Sequence, residues 1–175
     1  MKFFTADNHF HHAGIIHSCD RPFKTVEQMN AYMIRCWNEA VRPGDVVYHL
    51  GDFAYRGNAS EIEALITQLN GTIHLIKGNH DDKSRWMEDL YKRMFAKVSD
   101  ISYIKIDGQK IFLSHYAHRT WRASCHGSWH LYGHSHGTMP PYGKSFDVGV
   151  DCWDFTPVSF YEVQEKMKTL AMKEE

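Results

Sequence analysis

Residues 72–81 read Thr-Ile-His-Leu-Ile-Lys-Gly-Asn-His-Asp, an apolar run that passes directly into a polar cluster. The β-branched and aliphatic side chains of 72–77 are typical of a buried strand. Gly78 permits the sharp turn that has to follow, and it lets the backbone approach a site closely. The polar residues 79–81 are therefore expected at the carboxyl end of a strand, where ligands bind in open α/β folds.

The same junction between an apolar strand and a polar cluster occurs at five places along the chain. The predicted strands are 2–6, 45–50, 72–77, 110–114 and 128–132. The clusters that follow them are Asp7-x-His9, Gly51-Asp52, Gly78-Asn79-His80-Asp81, His115 and Gly133-His134-x-His136. Because ligands bind beyond the carboxyl ends of strands in such folds, we expect the five clusters to converge on one crevice.

The first half of the chain alternates strands with helices. Apolar residues recur at helical spacing over 25–41, which Thr25 can cap, and again over 59–69. A more polar helix is predicted over 84–95. This β-α-β-α-β-α order implies right-handed crossovers and neighbouring parallel strands.

The second half is mostly β. The Asp107-Gly108 dipeptide after the run 98–106 predicts a hairpin, and a further strand is expected over 145–150. The segment 159–162 is typical of a capping box and predicts a helix that extends to about Met172. A layered α/β sandwich follows, with two sheets in the middle and helices outside.

The composition is that of an ordinary soluble globular protein. A length of 175 residues fits one domain, 1–175, with one sizeable core. The formal net charge of −1 argues against a strong nonspecific surface for nucleic acid or membrane. Without a membrane-length apolar run or a secretory signal, we expect a cytoplasmic protein. The four cysteines form no CxxC pair, so we expect reduced thiols rather than a zinc ribbon or redox motif.

Histidine is the compositional outlier, with 13 copies. Together the five clusters supply oxygen and nitrogen donors without sulfur. Such donors suit Mn²⁺, Fe, Zn²⁺, Ni²⁺ or Mg²⁺ rather than a thiolate site. An isolated Asp-x-His or Gly-Asp is more often a solvated loop or a turn. The complete series, each member at a predicted strand end, indicates a metal site.

The ordered set Asp-x-His, Gly-Asp, Gly-Asn-His-Asp, His and Gly-His-x-His resembles the calcineurin-like metallophosphoesterase superfamily over most of the chain. The resemblance implies a four-layer αββα sandwich, with two central mixed sheets flanked by helices. It also implies two divalent ions, for which Mn²⁺ is the leading candidate. The ligands it implies are Asp7, His9 and His136 for the first ion, Asn79, His115 and His134 for the second, and Asp52 bridging both.

Hydrolysis of a phosphoester is the reaction that this resemblance implies. Two cations can lower the pKa of a shared water, so that a bridging hydroxide attacks phosphorus while both ions offset the developing charge. His80 is implied beside the leaving group, where an imidazole can act as the general acid. Asn79 would add a neutral oxygen ligand and an N–H group within reach of a phosphate oxygen.

Substrate contacts are indicated less specifically. Arg56 lies in Gly-Asp-Phe-Ala-Tyr-Arg-Gly, residues 51–57, which resembles a motif of Ser/Thr phosphoprotein phosphatases in which the arginine holds phosphate. Here Tyr55 replaces the second acid of that motif. His12, Arg21 and Arg119 are further candidates. Their alternative interpretations are a solvated loop histidine, a turn that precedes a helix, and part of a loop anchored by its own aromatics.

Three functions remain to be distinguished. A phosphodiesterase acting on a nucleotide or another small phosphodiester is favoured by analogy with many compact relatives. A phosphomonoesterase acting on nucleotide ends or phosphoproteins is the alternative, and a nucleic-acid substrate stays open. A metal-free interaction module on the same fold is the third, against which the complete ligand set argues.

Overall fold

The structure is a computed structural model that describes residues 1–172. In chain order its elements are β1 (Lys2–Thr5), α1 (Ala13–Ser18), α2 (Val26–Ala40), β2 (Val46–His49), α3 (Ala59–Ile66), β3 (Thr72–Ile76), α4 (Arg85–Met94), β4 (Lys97–Ser99), β5 (Ile101–Ile106), β6 (Gln109–Ser114), β7 (Trp129–Tyr132), β8 (Ser145–Asp147), β9 (Val158–Ser159) and α5 (Phe160–Thr169). Short 3₁₀ turns lie at Ser124–His126 and Val150–Cys152.

Two mixed sheets form the centre of the molecule. The first has the strand order β4-β3-β2-β1-β9, in which β1 to β4 are parallel and β9 is antiparallel to β1. The second has the order β5-β6-β7-β8, with an antiparallel β5–β6 hairpin and parallel pairs beyond it. Both sheets and their helices confirm the predicted sandwich of two mixed sheets.

Two apolar clusters hold the layers together. Helices α1 to α4 bury their apolar residues against one face of the first sheet, where Phe3, Val47 and Leu75 lie. The second cluster fills the space between the sheets, joining Phe4 on β1 to Leu131 on β7, and α5 packs into it. Five strands, β1, β2, β3, β6 and β7, then lead directly into the five polar clusters.

Local signals set several of these boundaries. The Thr25 side chain accepts a hydrogen bond from Gln28 N at the start of α2, as predicted. The predicted capping box is present at α5, between Ser159 and Glu162, although the helix ends at Thr169 rather than near Met172. Asp107 and Gly108 both have positive φ, the backbone of the tight hairpin turn that the sequence predicts.

The prediction of a single strand over 98–106 is wrong, because the structure has two strands there. β4 pairs with β3 in the first sheet and β5 pairs with β6 in the second, and Asp100 alone separates them. Strand-like residues lie on both sides of Asp100, so the sequence pattern does not mark where one sheet ends and the other begins. Helix α1 and strand β9 are too short to be predicted from periodicity.

No helix within residues 1–172 has the length and apolar character needed to cross a lipid bilayer.

We expect Leu131→Ala to lower the free energy of unfolding by about 2–5 kcal/mol, because it opens a cavity between the sheets. Leu131 is 0% exposed, whereas Ile101, on the edge strand β5, is 49% exposed. The control Ile101→Ala should therefore lower it by less than about 1 kcal/mol. Urea unfolding of both variants measures the difference, and equal losses would contradict this account of the core.

Candidate metal centre

Asp52 lies at the middle of the convergent clusters. Its side chain is 2% exposed, and its Oδ2 is 3.4 Å from His9 Nε2 and 3.7 Å from His80 Nε2. Its other oxygen, Oδ1, is 3.6 Å from His115 Nε2. One carboxylate therefore faces histidines on both sides, the position that a bridging ligand requires.

The other predicted ligands form two groups around Asp52. Donor atoms of Asp7, His9 and His136 lie within 4.8 Å of one another. Those of Asp52, His115 and His134 are equally close, and Asn79 Oδ1 is 3.2 Å from His115 Nε2. All seven ligands predicted from sequence are therefore brought together, in two adjoining groups.

Two of the histidines have one ring nitrogen already engaged. His115 Nδ1 is 2.7 Å from the carbonyl oxygen of Leu50, to which it can only donate. His136 Nδ1 is 2.7 Å from Asp151 Oδ2. These partners engage Nδ1 and leave Nε2 as the nitrogen available to a metal ion. A carbonyl or carboxylate on the far nitrogen is typical of metal-binding histidine.

Left-handed backbone aims the ligands into the crevice. Positive φ angles occur at five of them: Asp7 (59°), His9 (50°), Asp52 (55°), His134 (66°) and His136 (46°). Each costs on the order of 1 kcal/mol, and such residues cluster at functional sites. Hydrogen bonds between strand ends hold the turns, from Asp7 N to Gly51 O (2.9 Å) and from His9 N to Asp52 O (3.0 Å).

Two of the turns also require close approach of the backbone. A Cβ on Gly133 would lie 2.6 Å from Asp7 Oδ2, and one on Gly78 would lie 2.6 Å from the backbone nitrogen of Asp52. Any larger residue would displace a proposed ligand. The glycines of both motifs are therefore part of the site.

Asp81, the last residue of the Gly-Asn-His-Asp motif, is fully buried and joins two strand ends. Its carboxylate accepts from the backbone nitrogens of Asp52 (2.7 Å), Phe53 (3.0 Å) and Gly78 (2.8 Å). The fourth residue of the motif therefore fixes the turn that carries Asp52 rather than facing the site.

Arg21 is not placed to contact a substrate, which corrects the expectation from sequence. Its side chain is 0% exposed. Nε and one terminal nitrogen donate to Asp151 at 2.8 Å each, and the terminal nitrogens also reach the carbonyl oxygens of Asp7 (2.7 Å) and Asn8 (3.0 Å). With its donors occupied, Arg21 holds the first ligand turn and Asp151.

The electrostatics of the site favour a bound cation. Burial raises the pKa of Asp7 well above its usual range, and the carboxylates of Asp147 and Asp52 raise it further. Burial lowers the pKa of His9, as do His136 and Arg21, so His9 is a neutral donor at neutral pH. A metal ion would offset the first effect and use the second.

Unpartnered atoms lie where an ion would bind. Asp7 Oδ1 and His9 Nε2 are buried and have no hydrogen-bond partner within residues 1–172. Buried polar atoms without partners are uncommon and call for an explanation such as an ion. The donors are oxygens and imidazole nitrogens, so the residues fit the divalent ions that their chemistry suggests.

The remaining candidates lie around this centre. His12 Nδ1 is 3.2 Å from His9 Nδ1, and the His12 ring packs at a tilt against Tyr55, with ring centroids 4.0 Å apart. Arg56 is exposed, with its guanidinium 5.6 Å from the Tyr55 ring. Arg119 is not at the centre and lines a second cavity.

Four residues of the site were not predicted from sequence. Tyr116 donates to Asn79 Oδ1 (3.3 Å), and Tyr55 meets the His80 ring edge-on at 4.7 Å. Asp151 supports His136, and Asp147 accepts from Ser135 Oγ at 2.6 Å. Both tyrosines could have been noticed, because each lies within or beside a motif. The two aspartates follow no motif and carry no local signal.

Comparison with known proteins agrees with this architecture. A family model described as the calcineurin-like phosphoesterase superfamily domain matches residues 6–140. An uncharacterized protein of Methanocaldococcus jannaschii, MJ1445, is 35% identical over 165 residues, which cover 90% of this chain and 85% of that protein. The gene 66 protein of Mycobacterium phage L5 is 26% identical over 179 residues, covering 86% of each chain.

A solved structure shares the whole fold. The protein of unknown function AQ665 from Aquifex aeolicus matches with a TM-score of 0.75 and 25% identity, over 95% of this chain and 98% of that one. The family match spans most of the chain and includes every residue from Asp7 to His136. The chain therefore belongs to the calcineurin-like phosphoesterase superfamily.

Proposed function

We propose that this protein is a phosphodiesterase that hydrolyses a nucleotide or another small phosphodiester with two divalent metal ions. The observation that supports the two ions is the pair of donor groups on either side of Asp52, and the preference for a diester rests on analogy with compact relatives. Asp52 faces His9 on one side at 3.4 Å and His115 on the other at 3.6 Å. A carboxylate shared in this way suits two ions better than one.

The proposed ligands are those implied by the family resemblance. Asp7, His9 and His136 would hold one ion, Asn79, His115 and His134 the other, and Asp52 both. We propose Mn²⁺ as the first ion to test, with Fe, Zn²⁺, Ni²⁺ and Mg²⁺ also suited to these donors. When bound, such ions activate water as a nucleophile and offset negative charge on phosphorus oxygens.

His80 is the proposed proton donor to the leaving group. Its backbone nitrogen donates to Asp52 Oδ1 at 2.9 Å, which fixes the residue beside the centre, and its side chain is 22% exposed. Burial lowers the pKa of His80, while the Asp52 carboxylate opposes that effect. A phosphoester anion beside the ring would favour the protonated form that a general acid requires.

Several residues are proposed to orient the substrate. Asn79, besides its ligand oxygen, carries an N–H group that could reach a phosphate oxygen. His12 and Arg56 lie near Tyr55, on one side of His80. The exposed guanidinium of Arg56 can attract an anion there. A cavity of about 470 Å³ adjoins the other side, lined by Asn79, His115 and Tyr116. Its size suits a small phosphoester.

The substrate class is tested with two chromogenic esters. We expect Mn²⁺-loaded protein to hydrolyse bis-p-nitrophenyl phosphate with a higher kcat/KM than p-nitrophenyl phosphate, and a chelator to abolish both activities. The reverse order of rates would indicate a phosphomonoesterase. A protein that binds no metal and gains no activity from any of the five metals would instead be an interaction module.

Asp52→Asn should lose metal and activity together, because it removes the charge that the two ions share. We expect a fall in kcat/KM on the order of 1000-fold with Mn²⁺. Calorimetric titration with Mn²⁺ and ester hydrolysis measure the two effects. Asp107→Asn is the matched control, since Asp107 also has positive φ (48°) but lies in the distant hairpin turn. An Asp52→Asn protein that is fully metallated and active would exclude the bridging role.

His80→Ala should keep its metal and lose turnover only where the leaving group needs a proton. We expect a fall in kcat of about 100-fold or more on an alkyl ester, and far less on a p-nitrophenyl ester. Rates on a series of leaving groups measure this, with metal content determined in parallel. Equal losses across the series would remove His80 from the role of acid.

A further inference from the structure

A second cavity adjoins the one beside the metal centre. We call the first the site cavity, lined by Asn79 and His115, and the second the side cavity, with a volume of about 370 Å³. His118 lines both of them, so the two cavities meet at this residue. A molecule whose phosphoester lies at the metal centre can therefore extend into the side cavity.

The walls of the side cavity are loops that leave the metal centre. Residues 117–119 follow the proposed ligand His115, and residues 139–142 follow the proposed ligand His136. The floor is Tyr132, which directly precedes the Gly133-His134 turn, and Ser145 on the neighbouring strand. The cavity is thus built from the segments that position three of the proposed ligands.

The boundary between the two cavities is held by a buried histidine. His130 is 0% exposed, and its Nε2 accepts from the backbone nitrogen of His118 at 3.1 Å. Its Nδ1 lies 3.2 Å from Phe112 O, and Trp121 packs against its ring at 5.3 Å. Both ring nitrogens are therefore engaged, which fixes the start of the 117–119 wall before any ligand binds.

The lining combines flat apolar surfaces with a free cation. Met139 (49%) and Tyr142 (44%) are among the large hydrophobic side chains that remain exposed, and Pro140 and Pro141 lie between them. Arg119 lines the same cavity, is exposed, and makes no hydrogen bond, ion pair or ring contact within residues 1–172. The cavity therefore presents both apolar surface and a positive charge to a ligand.

We propose that the side cavity binds the base of a nucleoside whose phosphoester is cleaved at the metal centre. The inference rests on the proposed phosphodiesterase function and names its substrate class. A base offers a flat apolar face to Met139 and the prolines, and a polar edge or ring face to Arg119. An alkyl chain would use the apolar surfaces but would leave the guanidinium without a partner.

The test uses three diesters with the same leaving group. The p-nitrophenyl esters of thymidine 5′-phosphate, methyl phosphate and octyl phosphate share the bond to be broken and differ only in the group that would enter the side cavity. We expect kcat/KM for the thymidyl ester to exceed that for the methyl ester by about tenfold or more. Arg119→Ala should lower this ratio severalfold.

Arg122→Ala is the matched control. It lies in the same loop and is also exposed, but its guanidinium stands 4.6 Å from the Tyr103 ring and does not line the side cavity. We expect the thymidyl-to-methyl ratio to stay at the wild-type value in this variant. Equal falls in the ratio for both variants would overturn the assignment of Arg119.

The outcomes separate the two proposals. Hydrolysis of all three esters with no thymidyl preference, or with an octyl preference, overturns the nucleoside site and leaves the phosphodiesterase intact. If no ester is hydrolysed with any metal, the proposed function fails. In that case the nucleoside site is tested by comparing the affinities of chelator-treated protein for thymidine 5′-monophosphate and ribose 5-phosphate. Equal affinities overturn the nucleoside site. Tighter binding of thymidine 5′-monophosphate, reduced by Arg119→Ala, supports it.

Discussion

Repulsion between buried carboxylates is the constraint on which the rest of the site depends. Asp7 lies in the field of Asp147, Asp52 and Asp151, and burial makes the repulsion stronger. Asp151 is balanced by Arg21, and Asp147 by N–H and O–H donors. No lysine or arginine side chain within residues 1–172 pairs with the carboxylate of Asp7 or Asp52, and the divalent ions proposed here would supply the missing positive charge.

The same region concentrates backbone strain. Left-handed turns at five proposed ligands are unfavourable locally, and they persist because strand-end hydrogen bonds and the buried Asp81 carboxylate hold them. A site held in this way is formed before any ion or substrate arrives. Preorganisation of this kind reduces the rearrangement needed at the moment of reaction.

Sequence predicts this centre well because each ligand is signalled locally, by an apolar strand that stops at a polar cluster. Asp7, Asp52, Asn79 and His115 were all found in that way, and the structure brings them together. What sequence could not show depends on contacts between distant segments. From its sequence context Arg21 was a candidate phosphate contact. Its ion pair with Asp151, which lies 130 residues away in the sequence, could not be predicted. The break at Asp100 between the two sheets is likewise set by strand pairing rather than by side-chain pattern.

The proposed ligands are divided between the two sheets. Asp7, His9, Asp52 and Asn79 follow strands of the first sheet, whereas His115, His134 and His136 follow strands of the second. Each proposed ion would be bound by ligands from both sheets, so the metal centre would cross-link the two sheets. Binding of the proposed ions would then add to the attachment between the sheets that the apolar cluster provides, so metal binding and the stability of the sandwich would be linked.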